Sequence, residues 1–187
     1  MIKLVDARTE EQLKNIETLY MEAFPKEERK DFDLMLEKRD EGSMEIFSIE
    51  NEEGEFLGLT MTVLYQDIVL WDYLACREEA RGKGVGTEAI RLLKERYEDK
   101  RIILEFESTF EDCENLAIRK RRKALYLRLG LKLLPYQVLL FGIQMEMMTA
   151  GEYISFEEYH KVYDKVFGEK VSRNIVRYSG EESPFFL

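Results

Sequence analysis

The stretch from Ile68 to Thr87 constrains this chain more than any other, because it passes from an apolar strand through a charged loop into three spaced glycines. Gly82, Gly84 and Gly86 alternate with Lys83 and Val85, and Thr87 to Lys94 then carries the apolar spacing of an amphipathic helix. Glycines at that place border the first turn of a helix, whose backbone N–H groups lack intrahelical partners. The helix dipole adds positive potential there, so an anion such as a phosphate is attracted. Without side chains the backbone can be approached closely, and Arg81 and Lys83 add charge. The plainer alternative is a tight loop with no ligand.

The rest of the chain supplies a frame for that stretch. Met1 to Val5 reads as a strand, and Thr9 to Gln12 as a capping box that opens a helix with Leu13, Ile16, Leu19, Tyr20 and Ala23 on one face. Pro25 ends it, and a second helix is expected from about Asp31 to Lys38. Met44 to Glu50 and Phe56 to Tyr65 alternate apolar and polar residues around a turn at Asn51 to Gly54, which predicts a hairpin. Ile68 to Cys76 follows as a central strand, then a helix from Gly84 to Tyr97. Arg101 to Glu107 is expected to return parallel to the strand before that helix. A further helix runs from about Asn115 to Leu129, stopped by Gly130, with last strands at Leu131 to Leu134 and Gln144 to Met148. The spacing leaves Tyr136 to Gly142 open between strand and loop. Ser155 to Glu158 forms a second capping box before a terminal helix marked by Tyr159, Val162, Tyr163, Val166 and Phe167; the tail to Leu187 gives no pattern.

At 187 residues, 45% hydrophobic and 35% charged, the chain suits one compact domain. Nothing approaches a membrane-spanning run or a signal peptide, so a cytoplasmic protein without membrane attachment is expected. Cys76 and Cys113 are too few and too widely spaced for a disulfide framework or a metal knuckle, and both are read as reduced thiols with no metal. A net charge of −10 argues against nucleic acid as a partner. The basic run Arg119 to Lys123 could meet a phosphate-bearing ligand or form the solvated side of a helix.

Gly84 to Ala89 matches the GxGxxA form of a dinucleotide fingerprint, with Glu105 about where a ribose-binding acid belongs. Against that reading, Arg77 to Arg81 separate the first glycine from the strand, and the chain offers too few parallel repeats. The run Arg81-Gly82-Lys83-Gly84-Val85-Gly86 instead resembles the Arg/Gln-x-x-Gly-x-Gly/Ala loop of the GNAT superfamily of N-acetyltransferases. The strand ending Tyr73 to Cys76, the helix after the loop, the strand Ile102 to Glu107 and the segment Ala124 to Leu131 fall in that family's order. The likeness spans roughly Ile46 to Met148, and Phe24 to Arg29 resembles a segment of some members. Leu131 stands where the family often has Phe, and Arg119 where it often has Asn.

The resemblance implies an α/β (α+β) fold: a mixed, mostly antiparallel sheet flanked by helices. Residues 1–150 would form the acetyltransferase domain, with a C-terminal helix and tail, 151–187, packed on it. It implies acetyl-CoA as co-substrate, its pyrophosphate held by the backbone of Arg81, Gly82, Lys83, Gly84, Val85, Gly86 and Thr87, its pantetheine arm by Leu74, Ala75 and Cys76. The N–H near Leu74 would face the thioester carbonyl. Tyr126 would be the general acid for the departing thiolate. Deprotonating an amine of pKa about 10.4 at pH 7 costs roughly 4.6 kcal/mol, so a base is needed. Asp72, Glu105 and Glu107 lie on the two central strands, and Glu105 is the one chosen, against the alternative of an exposed or paired structural carboxylate. Cys76 is read as strand packing, His160 as surface or packing, and Met145, Met147 and Met148 as core. The acceptor is an amine, small-molecule or peptide, left open. The C-terminal helix could cover its groove or form a homodimer contact. A non-catalytic CoA-binding sensor is the alternative of another class.

Overall fold

The computed structural model describes residues 1–110 and 112–180, which divide into two compact units, one ending at Glu98 and the next beginning at Asp99. In the first, β1 (Ile2–Asp6) leads to α1 (Glu10–Ala23), a single 3-10 turn at Lys26–Glu28, and α2 (Phe32–Asp40). Strands β2 (Met44–Asn51), β3 (Phe56–Tyr65) and β4 (Ile68–Cys76) follow, then a second 3-10 turn and α3 (Val85–Arg96). The Thr9 hydroxyl accepts from the Gln12 N–H while the Gln12 amide oxygen accepts from the Thr9 N–H, a box worth about 1 kcal/mol. Helix α1 stops before Pro25, whose ring drives Phe24 to an extended φ of −117°.

Strands β1 to β4 pair in sequence order, all antiparallel. Val85 and Ala89 of α3 pack against Ile49, with Leu74 and Cys76 along the same cluster. On β4's other side, Tyr20 of α1 and Phe24 just after it close edge-on around Tyr73, at 4.9 and 4.8 Å between ring centroids. One irregularity divides β4. Thr62 lies opposite Trp71 and Met61 opposite Tyr73, so Asp72 is the extra residue of a β-bulge.

The second unit holds β5 (Arg101–Glu107), α4 (Leu116–Arg128), β6 (Lys132–Leu140), β7 (Ile143–Ala150), α5 (Phe156–Phe167), the short α6 (Glu169–Ser172) and β8 (Ile175–Arg177). Its strands pair antiparallel in the order β5-β7-β6-β8. The segment left open in the sequence is strand. β6 continues through Pro135 to Leu140 because the register with β7 shifts between Leu133 and Gln137, where proline's missing N–H breaks no ladder bond. Phe141 and Gly142, both at positive φ, turn the chain into β7. Beyond α5, Gly168 at φ +83° stops the helix, and α6 and β8 follow where the sequence showed no pattern. The end of the expected tail, 181–187, lies outside the described residues. Among the described residues no helix is long and apolar enough to cross a membrane.

Candidate active site

In the first unit, α3 starts one residue after Gly84, which takes φ +82°, and Gly82 takes φ +73°. Among the described residues no side chain caps this helix, so the N–H groups of its first turn have neither an intrahelical nor a side-chain acceptor there. A Cβ at Gly82 or Gly84 would meet nothing within 4 Å; glycine is required there by backbone conformation, not by crowding. Gly86 is different, since its φ is ordinary and a Cβ would touch only the Cys76 sulfur, at 3.8 Å. The end of β4 lies beside this turn. Arg81 Nε donates to the Cys76 carbonyl at 3.2 Å, and burial pushes the Cys76 thiol up, partly opposed by the Arg81 guanidinium. A raised thiol is a poor nucleophile. Gly58 of β3 lies so close to β4 that a Cβ there would stand 2.4 Å from the Ala75 carbonyl.

The bulge residue Asp72 is nearly fully buried, and both its oxygens accept from Lys30 Nζ, at 2.7 and 2.9 Å. Tyr73 joins this knot. Its hydroxyl donates to the Glu28 carbonyl at 2.7 Å and accepts from the Lys30 N–H at 3.2 Å, while the Tyr20 hydroxyl donates to the Lys30 carbonyl at 3.0 Å. The loop between α1 and α2 is thereby tied to the bulge. No local pattern marks this pair, because Lys30 and Asp72 are 42 residues apart.

In the second unit, Glu105 and Tyr126 stand on different faces of β5. Phe106 meets the Tyr126 ring of α4 at 6.0 Å, whereas Glu105, one residue earlier, turns to α5. There its Oε1 accepts from the Tyr163 hydroxyl at 2.6 Å and its Oε2 from the Tyr159 hydroxyl. Tyr126 is half-buried, and desolvation raises its pKa, with Arg122 acting the other way. The third candidate carboxylate, Glu107, is bound by Arg119 at 2.7 Å.

That ion pair accounts for the arginine at position 119. Arg119 also donates to the Ser108 carbonyl, so it closes the loop after β5. Four residues on, Lys123 pairs with the fully buried Glu146, which also accepts from the Thr109 N–H and hydroxyl at 2.8 and 2.6 Å. Helical spacing puts Arg119 and Lys123 on one side, so part of the basic run serves internal pairing while Lys120 and Arg121 are exposed. His160 packs on Phe156 and bonds the Ser172 carbonyl, and Met145, Met147 and Met148 are buried. Sequence reasoning counted Tyr159 and Tyr163 as apolar helix-face residues. The available signal was that a buried tyrosine hydroxyl needs a partner.

Comparison with known proteins agrees with this geometry. The family model described as acetyltransferase (GNAT) family matches residues 12–130. A solved GNAT-family protein from Bacteroides thetaiotaomicron superposes with a TM-score of 0.72 at 22% identity, over 90% of this chain and 98% of that one. Spermidine N-acetyltransferase from Vibrio cholerae, solved with CoA and spermine, gives 0.62 at 14% identity, over 80% and 94%. An aminoglycoside 6'-N-acetyltransferase solved with coenzyme A gives 0.64 at 14% identity, over 83% and 99%. A search of the curated proteins gave no match.

Proposed function

The chain belongs to the acetyltransferase (GNAT) family, and on that premise we propose that it moves the acetyl group of acetyl-CoA directly onto the primary amine of a cationic acceptor. The observation that carries this reading is the uncapped start of α3 behind two left-handed glycines, with open space at both. Those features fit a diphosphate, which needs convergent N–H donors and no intruding side chain. Acetyl-CoA, when bound, supplies an acetyl already activated as a thioester.

The chain's own residues do the rest. The Arg81 N–H, expected among the diphosphate's donors, is given to the Glu78 carbonyl at 3.1 Å, so backbone N–H groups from Gly82 to Thr87 hold the diphosphate, and Leu74, Ala75 and Cys76 offer backbone to the pantetheine arm. The Leu74 N–H supports the negative charge that grows on the carbonyl oxygen as the amine adds. Glu105, on the opposite face of β5 from Tyr126, removes the ammonium proton through a water. A carbon–nitrogen bond forms, the carbon–sulfur bond breaks as Tyr126 gives its proton to the sulfur, and the second proton lost by the nitrogen restores the phenol through water. Burial keeps its phenol protonated, as an acid must be before it acts. With ordinary values the transfer from phenol to thiolate is uphill by about 2 kcal/mol, so placement in a shared dry environment has to supply the difference.

A cationic acceptor suits a chain of net charge −10, and the Vibrio cholerae relative was solved with spermine. The test has two arms. Thermal unfolding with acetyl-CoA, CoA or NADH should show stabilisation by the first two alone, about 2.7 kcal/mol at one hundred times the dissociation constant. A panel of spermidine, an aminoglycoside and a lysine peptide should then reveal turnover that Tyr126→Phe lowers about ten- to a thousandfold with folding intact. Stabilisation by CoA without turnover on any amine would replace this reading with a CoA-binding module.

A further inference from the structure

The terminal helix gives the second unit a feature that acetyl transfer as set out above does not use. Tyr159 and Tyr163, one helical turn apart on α5, are both fully buried, and their rings meet edge-on at 5.5 Å. Each hydroxyl is given to a different oxygen of the same carboxylate, Glu105. The helix that carries them is anchored at its start by the Ser155–Glu158 capping box and by Arg101, which pairs with Glu158 at 2.9 Å. The ring faces alone would satisfy apolar packing, and phenylalanine would fill the same volume. Two phenols aimed at two oxygens do something more, because they fix the rotation of the carboxylate as well as its position.

We propose that Tyr159 and Tyr163 are positioning residues for Glu105, so that α5 is part of the catalytic apparatus. This rests on the reading of Glu105 as the group that accepts the amine's proton. A glutamate side chain has three rotatable bonds, and proton transfer requires its oxygen within hydrogen-bond reach of the ammonium or of one intervening water. A phenol on each oxygen removes the other rotamers of that side chain.

A kinetic cycle tests the inference, with acetyl-CoA and whichever panel amine is turned over fastest. Glu105→Gln should lower kcat about a hundredfold, and Tyr159→Phe and Tyr163→Phe each about five- to twentyfold, with KM for acetyl-CoA within about twofold. Placed on the Glu105→Gln background, either tyrosine change should cost nothing further, because the group it orients is gone. A phenylalanine variant as active as the parent overturns the inference, and so does a loss that persists undiminished on that background, which marks a structural role; Glu105 then keeps its assignment. An unchanged kcat in Glu105→Gln overturns the assignment of Glu105 itself, and the inference with it.

Discussion

Asp72 in the first unit and Glu105 in the second are both carboxylates on sheet strands, drawn into contact with side chains from elsewhere in their unit, yet the donors differ in charge. Asp72 accepts from an ammonium, Lys30, that reaches it across a loop. Glu105 accepts from two phenols on a helix. An ion pair taken out of water holds two segments together, but removing one partner leaves a buried charge. Phenols orient a carboxylate and bring no charge of their own. The first arrangement suits a scaffold, the second a group that has to meet a cation.

Substitution can break this contrast, and the largest effect should come from Lys30→Met. It strands the Asp72 carboxylate, which is 2% exposed, and should cost about 3–5 kcal/mol of unfolding free energy in urea titration. Adding Asp72→Asn should recover most of that; a Lys30→Met protein as stable as the parent would remove the scaffold role. Glu105→Gln should behave the opposite way, with its hundredfold kinetic loss accompanied by a stability change of no more than about 1 kcal/mol, since the amide oxygen still accepts from one phenol and the amide N–H donates to the other, whose hydroxyl turns to accept it.

Smaller effects separate scaffold from function within the glycine turn. Gly84→Ala forces a side chain into the left-handed region and should lower stability by about 1–2 kcal/mol. Gly86→Ala meets only ordinary contact and sits in a helix, so its stability should hold or rise by up to about 1 kcal/mol. If phosphate approaches that backbone, KM for acetyl-CoA nevertheless rises in both. Unchanged KM in both variants removes the turn from the binding site.

The smallest effect expected is none. Tyr126's pKa is raised, the acid form exists below that pKa, and so raising it extends the protonated range to higher pH. The kcat profile should therefore show no fall attributable to Tyr126 below about pH 10. An alkaline limb near pH 8 that vanishes in Tyr126→Phe would count against the assignment.

Local chemistry explains what could be read in advance. Both capping boxes, the stop at Pro25 and the start of α3 depend on residues within four positions of one another, and all were legible. Tyr136 to Gly142 stays open between strand and loop in the sequence, and pairing with β7 across the register shift around Pro135 is what makes its first five residues strand. Strand β8 was missed since three residues, Ile175–Arg177, carry no periodicity and are defined by pairing with β6. Of the candidate site, the glycine turn was visible as a pattern, while the partners of Asp72 and Glu105, 42 and more than 50 positions away, exist only once the chain has folded.

The bulge at Asp72 also acts on β4 as an inserted letter acts on a reading frame. Before it, Trp71 stands opposite Thr62, whose hydroxyl bonds Tyr97 at the end of α3; after it, Tyr73 turns toward α1, and Leu74 and Cys76 return to the α3 side. Were Asp72 taken into the regular pleat, everything from Tyr73 to Cys76 would exchange faces, whereas deleting it would restore even pleating with those residues on the faces they hold. A single-residue deletion here should therefore keep the aromatic contacts and the glycine turn's neighbours in place and remove only the anchor that Asp72 gives Lys30.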